Sequence, residues 1–235
     1  MTTAPKFSIY SDRSWLFDAA PAAVTPLFTD APLHVIPART RLPFGDTHVV
    51  ALVEKGLFAT YAGFQGEFRL ITGLFGPGSI LGGVKALTHA GRRMELSLRT
   101  LTETTVRTID AVRFREALEA DAALANDLLS YFLVMHERQI DGLLMMEYLP
   151  LADRLAMLIE TLYFASGVKP SETPVEMPLS LNASDLADML HAERASVSRV
   201  LSRWGRAGIF RREGRALSFA TARLREQYES GVAFP

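Results

Sequence analysis

The sequence predicts an α+β protein in three parts: an N-terminal antiparallel β-roll of jelly-roll type, one long helix suited to dimerisation, and a C-terminal winged helix-turn-helix. Three observations carry this reading. Short apolar or alternating runs, separated by glycine turns, fill residues 33–109, which is the texture of a sandwich, roll or barrel. An apolar-periodic stretch then runs unbroken from 122 to 148. Residues 181–218 follow the order helix, turn, helix, basic hairpin. The corresponding parts are 1–120 for the β-roll, 121–150 for the long helix and 151–235 for the terminal domain.

Taken in order, residues 1–30 are rich in Ala, Pro and Thr around Trp15-Leu16-Phe17, and read as a short helix and an extended lead-in. Candidate strands follow at 34–36, 49–53, 57–61, 68–71, 96–98 and 106–109. Between them stand the turn signals Gly45-Asp46, Lys55-Gly56, Gly63, Gly66, Gly76-Pro77-Gly78, Gly82-Gly83 and Gly91. A short helix is expected at 114–119. Within the long helix, Leu128, Phe132, Met135, Gln139, Gly142, Met146 and Leu149 alternate at spacings of four and three. That is a heptad seam, suited to pairing with a second copy, and Gly142 would let the two helices approach closely. Leu129, Leu133, Ile140, Leu143 and Leu144 are apolar as well. A helix apolar on two faces needs two partners, here the β-domain and a second protomer; a single helix buried in one domain is the alternative. Pro150 breaks the helix, an amphipathic helix follows at 152–165, and the three prolines of 167–178 mark a loop.

The terminal module has the most chemistry. Asn182 or Ser184 can cap a helix bearing Leu186, Met189 and Leu190. His191-Ala192 leaves room for a turn. A second helix, about 194–207, buries Val197, Val200, Leu201 and Trp204 and turns Arg194, Ser196, Arg199, Arg203 and Arg206 outward. Gly208 ends it in the usual place for a positive φ. Two short strands, 209–210 and 216–219, flank Arg211-Arg212-Glu213-Gly214-Arg215 and make a wing. From His191 to Arg215 there are seven arginines against two acids, in a chain of net charge −1. A basic island on a neutral protein is the footprint of phosphate binding. The expected partner is double-stranded DNA, with Arg194, Ser196, Ser198 and Arg199 at the base edges and Arg203, Arg211 and Arg212 on phosphates.

Other classes fare worse. No nucleophile elbow, P-loop, zinc-protease helix or dinucleotide fingerprint is present, so no catalytic residues are expected and the protein reads as no enzyme. The absence of cysteine excludes disulfides, thiolate zinc and cysteine-ligated clusters. No metal site or cofactor is expected; His34, His48, His89 and His136 lack partners at a haem-like spacing. No run is long enough to span a membrane and no secretory signal opens the chain, so a cytoplasmic protein is expected. The competing reading is a sensing or interaction protein whose β-roll binds a small molecule or partner and whose helical tail is an adaptor.

The module 192–201, Ala-Glu-Arg-Ala-Ser-Val-Ser-Arg-Val-Leu, resembles the S-R-E-T-[VI]-[SG]-R-[IVL]-L pattern of the Crp/Fnr family of bacterial transcription regulators. Phe75-Gly76-Pro77-Gly78-Ser79-Ile80-Leu81-Gly82 is similar to the segment that leads into that family's phosphate cassette. The resemblance covers about 33–219. It implies a homodimer on a two-fold operator, a small effector in the β-roll, and contact with RNA polymerase. It also assigns an effector pocket at Gly82, Gly83, Arg92, Arg93, Met94 and Gln139. There the sequence departs from the cyclic-nucleotide binders. Gly83 stands where they carry a ribose-binding Glu, and Met94 where they carry a phosphate-binding hydroxyl. Each lost charged hydrogen bond costs about 1.5–3 kcal/mol, so an effector other than cyclic AMP, or none, is implied. Ala195 stands where the pattern carries Glu.

Overall fold

Alternating apolar residues and closely spaced turn residues commit the N-terminal half to strands, and 3.6-residue periodicity commits the rest to helices. The computed structural model describes residues 7–8, 13–43, 48–64, 67–87, 95–226, 228 and 232–233. In chain order these form β1 (Phe7–Ser8), β2 (Leu16–Phe17), a 3-10 helix (Ala22–Phe28), β3 (Leu33–Ile36), β4 (Arg41–Pro43), β5 (Val49–Lys55), β6 (Phe58–Phe64) and β7 (Glu67–Phe75). Next come β8 (Ile80–Leu81), α1 (Gly83–Leu87), β9 (Glu95–Thr100), β10 (Thr104–Asp110), α2 (Ala111–Ala120), α3 (Ala122–Tyr148) and α4 (Leu151–Ala165). The chain ends with β11 (Val175–Glu176), α5 (Ala183–Met189), α6 (Arg194–Arg206), β12 (Phe210–Glu213), β13 (Ala216–Phe219), α7 (Thr221–Arg225) and β14 (Val232–Ala233).

Strands β3-β10-β5-β8 make one antiparallel sheet. A second has the order β2-β7-β6-β9-β4, in which β2 runs parallel to β7 while β6 and β4 flank β9 antiparallel. This is the expected roll, with strands β2, β4 and β8 and the short helix α1 added to the elements legible in the sequence. By contact the chain groups into two units: Leu16–Phe68 with Thr72–Glu137, and Met1–Trp15 with Arg69–Ile71 and Arg138–Pro235. No helix among the described residues is long and apolar enough to cross a membrane.

The first unit has two apolar clusters. One gathers Phe28, Val50, Ile80 and Phe114 around Leu124, Leu128 and Tyr131 of α3. The Tyr131 hydroxyl accepts the Ile80 N–H at 3.3 Å. The other holds Phe17, Val53, Phe58, Phe75, Leu81, Leu98 and Val106, and Met135 packs against both.

Each of the seven expected seam residues is buried or half-buried within the single chain. Leu128 is only 1% exposed, and Phe132 and Met135 pack on the β-domain core. Gly142 is approached by the Trp15 ring of its own chain, so closely that a Cβ at 142 has no room. The Trp15 N–H donates to Arg138 O at 3.4 Å, and Trp15 holds a positive φ of 68° despite its bulk. Met146 lends its carbonyl to Arg154 at 2.9 Å, Leu149 is buried, and Gln139 is half-buried. The apolar stripe left to solvent lies one residue round the helix, at Leu129 (57% exposed), Leu133 (55%) and Leu143 (51%). Periodicity shows that α3 has two apolar faces; it does not say which face meets the chain's own core.

Candidate nucleic-acid interface

Short-range chemistry sets the helix-turn-helix. Asn182 caps α5 by accepting the Ser184 and Asp185 N–H groups at 2.8 and 3.2 Å. Asp185 returns the bond by accepting the Asn182 N–H at 3.0 Å, which completes a capping box. The turn pivots on His191 at φ 47°, a left-handed conformation that non-glycine residues adopt at some cost. In α6, Val197, Leu201 and Trp204 are buried. Glu193 holds the N-cap position of α6 without making a side-chain cap bond. Gly208 takes φ 71° just past the helix, and Arg223 donates to Ala207 O at 2.9 Å, closing the α6 C-terminus from α7.

The wing is the β12–β13 hairpin, with Arg211 opposite Ser218 and Arg212 opposite Leu217. Gly214 sits first in its two-residue turn with φ 59°. Behind it Phe219 packs against Phe210 and Tyr163, at ring-centre distances of 5.0 and 6.3 Å. The expected loop 167–178 contains β11, a third strand of this sheet paired with β13. Burial raises the Tyr163 hydroxyl above its ordinary pKa, so it stays protonated and donates to Val175 O.

On this frame the expected residues fall as follows. Arg194, Arg199 and Arg203 are exposed on α6, and Ser196 and Ser198 are half-buried on its flanks. Arg199 donates to Ser196 Oγ at 2.9 Å, which holds the guanidinium against the helix surface. On the wing, Arg212 donates to Gly214 O at 2.9 Å, and Arg211 lies 3.3 Å from Glu213. Arg203 is partly claimed within the module. Burial raises the Asp153 carboxyl above its ordinary pKa, and the Arg203 charge acts in the opposite direction. The stripe opposite the buried residues of α6 is Ala195, Arg199, Ser202 and Arg206, all exposed. Arg206, expected to face outward, is exposed, and Ser202 joins the candidate surface. Its three-residue spacing from Arg199 is the signal that could have included it. Fixed exposed guanidiniums on a helix and an adjacent hairpin suit a polyanion, and the helix has the width a major groove admits.

The expected effector pocket is only partly in view. Arg92, Arg93 and Met94 lie outside the described residues, as does His89. Gly82 and Gly83 link β8 to α1. A Cβ at Gly83 would stand 2.9 Å from Phe132 Cζ and 3.2 Å from Ile80 Cγ2, so the ring fills the space an acidic side chain would need. His34 hydrogen-bonds with Thr108 Oγ1 at 3.1 Å, and His48 and His136 are exposed. Among the described residues no cluster of His, Asp and Glu could hold a metal ion.

Residues 151–226 match the model of the Crp-like helix-turn-helix domain. The chain carries a Crp-like helix-turn-helix on a Crp/Fnr-type fold. Among solved structures it is similar to FixK2 from Bradyrhizobium japonicum, at 20% identity and TM-score 0.66, covering 86% of this chain and 98% of that one. It is also similar to CLP of Xanthomonas campestris, described as a c-di-GMP responsive global regulator, at 19% identity and TM-score 0.66, covering 85% and 99%. TTHA1359 from Thermus thermophilus, a CRP/FNR family transcriptional regulator, gives 18% identity and TM-score 0.69 over 85% of this chain and all (100%) of that one. No curated protein matches by sequence.

Proposed function

We propose that this protein is a sequence-specific DNA-binding transcription regulator that acts as a homodimer and does not respond to cyclic AMP. The observation that carries the reading is the row of exposed arginines on α6 together with those on the wing of the same module. Arg194 and Arg199 read guanine edges, with Ser196 and Ser198 in support; Arg203, Arg206, Arg211 and Arg212 hold phosphates. The dimer forms through Leu129, Leu133 and Leu143, the exposed stripe of α3, with Ile140 in the same register. RNA polymerase is the further partner that the family resemblance implies. The β-roll does not take cyclic AMP, because Phe132 fills the place of its ribose-binding carboxylate.

The experiment pairs duplex retardation with sedimentation. Wild type sediments as a dimer and retards a selected operator in the presence of competitor DNA. Leu133→Asp, which changes an exposed residue, stays folded, sediments as a monomer and loses operator binding. Leu128→Asp instead unfolds the β-domain. A dimer that survives Leu133→Asp overturns the seam, and a folded protein with equal affinity for all duplexes overturns the DNA reading.

A further inference from the structure

We propose that the helix-turn-helix unit itself holds a site for a small organic monocarboxylate, a compound with one carboxylate and a short apolar body. A cavity of about 120 Å³ lies between the C-terminal half of α4, the loop that follows it, α7 and the N-terminal segment. All its described lining residues fall in the unit that joins Met1–Trp15 to Arg138–Pro235. One wall forms where the N-terminal segment crosses α4: the Arg13 guanidinium lies over the Phe164 ring, 3.6 Å from its centre. Phe164 is itself 47% exposed, which puts the mouth of the cavity at solvent.

The chemistry of the lining selects the occupant. The charged side chains among its described residues are Arg13, Arg225 and Glu160. Glu160 is engaged on the protein side: it accepts the Tyr228 hydroxyl and lies 3.9 Å from Arg225 Nε. Two cations against one anion leave an excess of positive charge that a single carboxylate matches. A guanidinium presents its N–H donors in a fork that fits the two oxygens of that group. A second carboxylate on the ligand would stand close to Glu160, and like charges at short range repel. Val168, Pro170 and the Phe164 ring supply apolar surface for the rest of the molecule. A cavity of roughly 150 Å³ takes up benzene in the measured example, so this one suits a body of about four to six carbons and is too small for a nucleotide. The site also borders the support of the recognition helix. Thr221 and Arg225 of α7 line the cavity, and Arg223 of the same helix closes the α6 C-terminus at Ala207 O. An occupant therefore braces the element that holds the end of α6.

The test is thermal unfolding of the full chain with pentanoate as probe, and with pentanamide, glutarate and inorganic phosphate as comparisons at matched ionic strength. At ten times its dissociation constant pentanoate raises the midpoint by about 3–6 °C, and the neutral amide, the dicarboxylate and phosphate do not. Arg13→Gln, which removes one cation from the lining, abolishes the rise while the circular dichroism stays native. Should that variant fail to fold, pentanoate added to the wild type gives the answer: amide shifts cluster at Thr161, Phe164, Val168 and Thr221. No rise with pentanoate, an equal rise with pentanamide or glutarate, an equal rise in a folded Arg13→Gln, or amide shifts centred on the β-roll would each overturn the site. No readout involves DNA, so the failure of this site and that of the DNA-binding reading are separable.

Discussion

The wing hairpin of residues 210–219 and the strands that lead to Gly82-Gly83 are both β-structure, yet they present different faces. On the wing, Arg211, Arg212 and Arg215 stand exposed, while Leu217 and Phe219 anchor the strand below. In the β-roll the strands turn Phe58, Leu81, Leu98 and Val106 into a cavity, and Phe132 closes the place beside Gly83. One surface offers fixed positive charge to water, where a polyanion can displace counterions. The other offers a lining that carries no charge among its described residues, and these give an ion no partner. CLP, whose fold is similar, is described as c-di-GMP responsive; in this chain the described β-roll lining is apolar, whereas the arginines of the helix-turn-helix are exposed.

The largest expected effect breaks the module that carries the arginines. Trp204 is 1% exposed, and its indole N–H has no hydrogen-bond partner among the described residues. Trp204→Ala should cost about 3–5 kcal/mol in chemical denaturation, and Trp204→Phe should cost clearly less, since it keeps the ring and removes the orphaned donor. Equal losses would mean that packing around Trp204 contributes little.

A second variant tests the closed side of the comparison. Gly83→Glu restores the acid of the cyclic-nucleotide binders but must displace the Phe132 ring, at a cost of about 1–3 kcal/mol. Titration calorimetry should show no gain in cyclic AMP affinity. Submicromolar binding by this variant would show that a single residue, not the shape of the site, excludes the nucleotide.

Smaller effects separate two kinds of arginine. Arg199→Ala should weaken operator binding by about 1–3 kcal/mol, roughly five- to 150-fold, and relax the base preference at one position per half-site. Arg212→Ala should weaken binding to all duplexes alike and reduce the slope of log affinity against log salt by about one. Anisotropy titrations over a salt series distinguish the two; identical profiles would dissolve the division of labour.

Much of this was legible in the sequence because the signals are local. The ends of α3 coincide with its apolar-periodic stretch, α6 ends one residue short of its expected limit, and Asn182 and Gly208 cap where their chemistry suggests. What stayed hidden depends on long-range contact. Nothing near Gly142 in the sequence points to Trp15, and nothing near Ala207 points to Arg223 as its cap. The exposed stripe of α3 could not be told from the buried one, since both are apolar at heptad spacing. The two-residue strands β8 and β11 are too short to show alternation.

Selection of binding sites from random duplexes with the wild-type protein tests the central claim most directly. The predicted result is a two-fold symmetric site whose half-sites are about 34–36 Å apart, one helical turn. Guanines should be fixed where Arg194 and Arg199 reach, and no G·C pair should be fixed opposite Ala195, which has no acceptor for cytosine N4. The affinity of the enriched site should be the same with and without cyclic AMP. A folded dimer that enriches no sequence over the starting pool would contradict the account.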